Sequence, residues 1–170
     1  MKNNSFALNT IPLIKYSVFD VLLVAIIYFL PTLSHLMSFP LYLADPMRIM
    51  ILFAFIHTNK LNAFILALTL PMFSHLIALH PVAFKSIIIS FELVINCFFL
   101  ILFLKKNLNT FFAFFFSIII SKCFYYGFKY TLLSNNMIEG NLISTSLEIQ
   151  LLVTFILSIY GYLILSKFKK

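Results

Sequence analysis

Three polar side chains recur on one face of a strongly apolar stretch of this sequence. Lys85, Glu92 and Asn96 are separated by seven and four residues, so they share one side of a helix. Lys122 and Tyr126, four residues apart, do the same in a second apolar stretch. Charged and hydrogen-bonding groups inside apolar helices are costly to bury, and they therefore mark candidate sites for a polar ligand.

Arg48, the only arginine, lies in the first turn of another apolar stretch, three residues after Asp45. We expect it to meet the other groups at one level of the protein, in a pocket open to one side. Their excess of positive charge favours an anionic or strongly polar ligand. The alternative is a set of structural ion pairs, such as Glu92 with Lys122 or Arg48, that tie helices together. The predicted substrate-binding residues are Arg48, Lys85, Glu92, Asn96, Lys122 and Tyr126.

The sequence lacks the common catalytic and metal-binding signatures. Gly127, Gly140 and Gly161, its three glycines, are too far apart for GxGxxG, a P-loop or GxSxG. The serine and histidine of Ser34–His35 and of Ser74–His75 are sequence neighbours, which point apart on a helix and make no nucleophile–base contact. No HxxxH or HExxH spacing occurs. We therefore predict a protein that is not an enzyme, with no catalytic residue, cofactor or metal.

Long apolar helices must position these groups. Of the 170 residues, 62% are hydrophobic and only 10% are charged, and the mean hydropathy is +1.05. Soluble domains carry about 25% charged residues, so most of this surface must face lipid. The sequence predicts an all-α integral membrane protein that forms a single transmembrane domain over residues 1–170. A bundle of about six helices is expected, with spans at 16–33, 46–57, 61–79, 83–104, 110–128 and 148–166.

Basic residues predict the orientation of these spans. With six crossings both termini lie on one side, and most of the 12 basic residues would lie there too. The basic residues on that side would be Lys2, Lys15, Lys60, Lys105, Lys106, Lys167, Lys169 and Lys170. The other side would hold Arg48, Lys85, Lys122 and Lys129. Because basic residues favour the cytoplasmic side, we expect a multi-pass protein of the bacterial inner (cytoplasmic) membrane, with both termini cytoplasmic. Basic residues that flank spans do not indicate a nucleic-acid partner.

This architecture resembles the substrate-binding S component of energy-coupling factor transporters. The stretch from Pro40 to Arg48 resembles the polar, proline-bearing segment that leads into that family's second span. The stretch from His80 to Lys85, followed by Glu92 and Asn96, resembles its proline-started fourth span with an internal acid. Two features depart from the family. Its Ala-xxx-Ala docking face belongs to the first span, whereas Ala63 and Ala67 fall on the third, and the N-terminal histidine of metal-specific relatives is missing.

The resemblance implies a role in vitamin or micronutrient uptake. The six predicted site residues would then contact the solute from the outer halves of the spans. The implied partners are the lipid bilayer, the solute, and a membrane coupling subunit driven by two cytoplasmic ATPases. The S component itself hydrolyses nothing, and the missing nickel- or cobalt-type histidine disfavours a metal substrate.

Two other classes of protein remain open. A non-catalytic scaffold of the rod-shape-determining MreD type has similar length and span number, and it predicts tight pairing of Arg48, Glu92 and Lys122 without a cavity. An intramembrane enzyme predicts a nucleophile within hydrogen-bond reach of a base. A solute-binding subunit predicts a cavity open to the outside.

Overall fold

A computed structural model describes residues 17–22, 25–26, 41–78 and 82–168 of the chain. These residues are helical, apart from short connections, and contain no β-strand, which confirms the predicted all-α class. After a short 3-10 helix (Leu41–Ala44), the helices are α1 (Pro46–His57), α2 (Lys60–Ala78), α3 (Ala83–Lys105), α4 (Thr110–Ser134) and α5 (Leu147–Phe168). Residues 17–22 and 25–26 are also helical. The rest of the predicted first span, Pro40, and the His80–Pro81 turn lie outside the described residues.

Local sequence explains where two of these helices begin. Pro46 is the first residue of α1, where its fixed φ fits the helix and its missing N–H costs nothing. Asn109 precedes α4, and its side chain accepts a hydrogen bond of 3.0 Å from the backbone N–H of Phe111. That bond satisfies one of the N–H groups that a helix start leaves open. The short link before α4 lets α3 and α4 fold back on each other as an antiparallel pair.

Three of the helices are long and apolar enough to cross a membrane by length and composition. They are Ala83–Lys105, Thr110–Ser134 and the Leu147–Ser166 part of α5. The apolar segments Pro46–His57 and Lys60–Leu76 are shorter. The 12 residues of α1 span about 18 Å at 1.5 Å per residue, whereas a bilayer core is about 30 Å thick. One straight helix of this length cannot cross such a core alone.

The short helix α1 is the most enclosed of the described helices. It packs against α2, α3 and α5, and Ile51, Leu52 and Ala54 are almost fully buried. No large apolar side chain of α1 is exposed, whereas α2, α3, α4 and α5 each expose several. On α5, for example, Leu152 and Phe155 are both more than half exposed. The first turn of α1, which carries Arg48, therefore begins inside the helix bundle.

Candidate binding site

Four ionisable side chains meet where α1 begins, and we call Asp45, Arg48, Glu92 and Lys122 the charged cluster. The Arg48 guanidinium, from α1, forms an ion pair and hydrogen bond with Glu92 Oε1 on α3. Lys122 Nζ, from α4, lies 3.4 Å from the same Glu92 oxygen and donates to Asp45 Oδ2 at 3.0 Å. Arg48 Nε lies 3.4 Å from Asp45 Oδ2. The cluster therefore links three helices.

Asp45 enters the cluster through an unusual backbone conformation. It precedes α1 with φ 54° and ψ 58°, the left-handed region that few residues other than glycine, asparagine and aspartate adopt. Its carboxylate does not cap α1, so it is available to Arg48 and Lys122. Burial alone would raise the pKa of Asp45, but the positive charges of Arg48 and Lys122 outweigh burial and lower that pKa to about 2.

The charged cluster has a buried base and a more accessible edge. Arg48 is 1% exposed and Glu92 4%, whereas the side chains of Lys122 and Asp45 are 22% and 28% exposed. Two acids and two bases cancel in charge. The sequence predicted an excess of positive charge at this point, and that expectation is wrong for the cluster because Asp45 joins it while Lys85 does not.

The predicted site residues of α3, which are Lys85, Glu92 and Asn96, lie at three levels along the seam between α3 and α4, and not at one level as predicted. Glu92 and Lys122 define the middle level. Lys85 lies seven residues from Glu92, which is about 10 Å along a helix axis, and it forms no ion pair with the cluster although it shares its helix face. Asn96 lies one turn away from Glu92 in the opposite direction. The spacing of Lys85, Glu92 and Asn96 predicted the helix face that they share, but it did not predict which residues of α4 each of them would lie beside.

Asn96 defines a second level of this seam, and its hydrogen bonding is incomplete. It is fully buried, and its Nδ2 lies 3.5 Å from Ser117 Oγ on α4. Its Oδ1 has no hydrogen-bond partner among the described residues, and Arg48 Nε, although close to Asp45, has none either. Ser117 and Ser121 donate instead to carbonyls of their own helix, at 2.9 and 2.8 Å. Unmet buried acceptors are costly, so Asn96 Oδ1 is a candidate contact for a bound molecule.

Tyr126 reaches a partner that the sequence did not suggest. Its hydroxyl lies 2.8 Å from Gln150 Oε1 and 2.6 Å from Gln150 Nε2, on α5. Gln150 Nε2 also donates to the carbonyl of Thr145, at 2.8 Å, in the connection that precedes α5. Tyr126 thereby joins α4 to α5 and to this connection. It lies one helical turn beyond Lys122 on α4, so it borders the charged cluster.

Sequence reasoning underrated three residues of this region. Asp45 was noted only as a neighbour of Arg48, because its position before a helix gives no periodic signal. Gln150 was not selected, because nothing in the sequence says which helix faces Tyr126. Lys129 was noted only as a basic residue of the side opposite the termini, yet it is 1% exposed and donates to the carbonyl of Leu142 at 2.7 Å.

Comparisons with known proteins give this region no precedent. No protein-family model, curated protein or solved structure matches the chain. Within the described ranges, no three histidine, cysteine, aspartate or glutamate side chains are grouped so that they could hold a metal ion. The fold and the site define a class only: an apolar helical bundle, with three helices suited to crossing a membrane, that encloses a charge-balanced cluster.

Proposed function

We propose that this chain is a multi-pass membrane protein that binds a small polar or anionic solute at the charged cluster. The distribution of polarity supports the membrane part of the proposal. Large apolar side chains such as Phe91 and Leu151 are exposed, whereas Arg48, Glu92 and Asn96 are buried. This arrangement is unfavourable in water, and it is the expected one when the surrounding solvent is lipid.

The observation that carries the solute-binding part is the position of the charged cluster at the start of an enclosed, short helix. In membrane transporters, helices that begin inside the bundle direct their N-terminal N–H groups and polar side chains at solutes. Here α1 begins beside Arg48 and Asp45, with Glu92 and Lys122 supplied by the neighbouring helices. Ionisable groups at such a position are functional candidates by default.

The exposure of the four side chains indicates how a solute would enter. Lys122 and Asp45 form the accessible edge, so an acidic group on the solute would take the place of Asp45 beside Lys122. The deeper Arg48–Glu92 pair would hold the base of the site. Asn96 Oδ1, which lacks a donor among the described residues, would accept a hydrogen bond from a solute N–H or O–H.

More specifically, we propose that the chain is the substrate-binding subunit of a micronutrient uptake transporter in the bacterial inner membrane. Under it the charged cluster opens outward, both termini are cytoplasmic, and a coupling subunit with cytoplasmic ATPases drives release. It is supported by the lack of a P-loop in the sequence and by the bias of basic residues described above.

One observation favours a second candidate, a non-catalytic membrane scaffold. Arg48 and Lys122 both form ion pairs with Glu92, which is the pairing that a structural clasp requires. Under this alternative the cluster only fixes α1 against α3 and α4. A scaffold needs no solute, so only the solute-binding protein should be stabilised by adding a small polar molecule.

Thermal unfolding of the purified full chain in detergent, against a panel of vitamins and other small polar solutes, tests the proposal. At least one solute is expected to raise the unfolding midpoint by several degrees, because a ligand that binds only the folded state stabilises it. The rise should disappear in Lys122→Met and in Asn96→Leu and persist in Lys105→Met, which changes an exposed residue at the other end of α3. No rise with any solute contradicts the proposal and supports the scaffold.

A further inference from the structure

Two lysines form a third level of the α3–α4 seam, and neither has a counter-charge. Lys85 precedes Glu92 by seven residues on α3, and Lys129 follows Lys122 by seven on α4. Because the two helices run antiparallel, both steps lead in the same direction by about 10 Å. The ion pair between Glu92 and Lys122 is thus followed, two turns further on, by two positive charges.

The interactions of these lysines agree with that register. Lys85 and Lys129 lie at the same level on two packed antiparallel helices, so their positive charges repel each other. Lys129 is 1% exposed, and its Nζ lies 5.8 Å from the ring centroid of Tyr125. One N–H of its ammonium group donates to the carbonyl of Leu142, so two of the three N–H donors remain for another acceptor. A buried cation with a cationic neighbour is unfavourable unless an anion joins it.

No acidic side chain of the chain supplies that anion. All five acids lie at described positions, and none forms an ion pair with Lys85 or Lys129. Asp45 and Glu92 belong to the charged cluster, and Asp20 accepts a hydrogen bond from Asn62, at 2.8 Å, near the opposite end of the bundle. The two others, Glu139 and Glu148, are exposed.

We propose that Lys85 and Lys129 form a binding site for a phosphate oxyanion, with Tyr125 beside it. Lysine ammonium groups bind phosphate as point charges, and two of them with spare donors suit its several oxygens. Basic residues between membrane helices commonly hold lipid headgroups, so the phosphate comes either from an anionic phospholipid or from a free phosphate compound. The site is independent of solute binding at the charged cluster, because it uses different residues.

Thermal unfolding with two probes tests this site. The full chain is placed in phosphatidylcholine nanodiscs and titrated with inorganic phosphate, against chloride at the same ionic strength. In a parallel arm, nanodiscs of equal parts phosphatidylcholine and phosphatidylglycerol replace the neutral ones. A rise of several degrees with phosphate identifies a free anion, a rise with phosphatidylglycerol alone identifies a headgroup, and either result supports the site.

Three variants make the result specific. Lys129→Met and Lys85→Met should lose the rise, and Lys105→Met, which removes an exposed lysine at the other end of α3, should keep it. Lys85→Met has a second signature: without any anion its unfolding midpoint should exceed that of the wild type, because the repulsion with Lys129 is gone. Absence of a rise with both probes overturns the proposal, and so does an equal rise in Lys85→Met.

Discussion

Arg48, in the first turn of α1, and Glu92, in the middle of α3, form a buried ion pair that neither helix could accommodate alone. Each side chain is at least 95% hidden from the surroundings. Lys122 and Asp45 complete the arrangement, so that every charge faces an opposite one. The pair fixes the start of a short, enclosed helix against one of the long apolar helices.

Removing one charge of this pair should strongly destabilise the fold. Glu92→Gln keeps the size of the side chain but leaves Arg48 facing only Asp45, and breaking a buried pair costs about 3–5 kcal/mol. The double variant Arg48→Met/Glu92→Met should recover most of that loss, because it leaves no unpaired charge. Unfolding of the wild type, Arg48→Met, Glu92→Met and the double variant in detergent gives the coupling energy. Glu148→Gln, which alters an exposed acid at the start of α5, is the control, and equal stability of Glu92→Gln and wild type would refute the buried pair.

Two glycines offer a matched test of helix packing. A Cβ on Gly161 of α5 would lie 2.7 Å from the fully buried ring of Phe114 on α4, so Gly161→Ala should cost about 1–3 kcal/mol through overpacking. A Cβ on Gly127 would meet nothing within 4 Å, so Gly127→Ala should gain roughly 0.5–1 kcal/mol from helix propensity. Opposite shifts of the thermal midpoint are expected. If both variants shifted the thermal midpoint in the same direction, the close contact between Gly161 and Phe114 would be wrong.

Asp45 makes the stability of the fold depend on acid pH. Its folded-state pKa is lowered from 3.8 to about 2, chiefly by Arg48 and Lys122 acting against burial. Its contribution is therefore present above pH 3.8 and is lost as the pH falls toward 2. In that window the unfolding midpoint should fall more steeply for the wild type than for Asp45→Asn. Glu139→Gln, in an exposed connection, should keep the wild-type slope, and parallel curves for wild type and Asp45→Asn would exclude the ion pairs of Asp45.

The periodic features of the fold were predictable from sequence, because they depend on local chemistry. The expected ranges 83–104 and 148–166 correspond closely to helices α3 and α5, since long apolar runs bounded by polar turns admit few other structures. The face shared by Lys85, Glu92 and Asn96 was equally predictable. It follows from helix geometry alone.

The features that depend on how helices meet were not predictable. The sequence contains no information on the register between α3 and α4, so Lys85 was assigned to the same level as Lys122 although the antiparallel packing places it at the level of Lys129. Burial of Lys129 also depends on a connection whose path the sequence does not encode locally, because Leu142 supplies its hydrogen-bond acceptor. The sequence predicted that Arg48, Glu92 and Lys122 would meet. It did not predict that the cluster is neutral, because the fourth charge comes from Asp45, and no periodic pattern indicates its left-handed backbone conformation.

Quantification of the small molecule that remains bound to the purified protein shows whether the charged cluster holds a solute. The full chain is extracted from its membrane in mild detergent, washed and denatured, and the released solutes are measured by mass spectrometry per mole of protein. We expect one polar solute at a nearly equimolar amount from the wild type and from Lys105→Met, and at least about tenfold less of it from Lys122→Met. The same solute profile from all three proteins, or none at all, would contradict a solute site at the charged cluster.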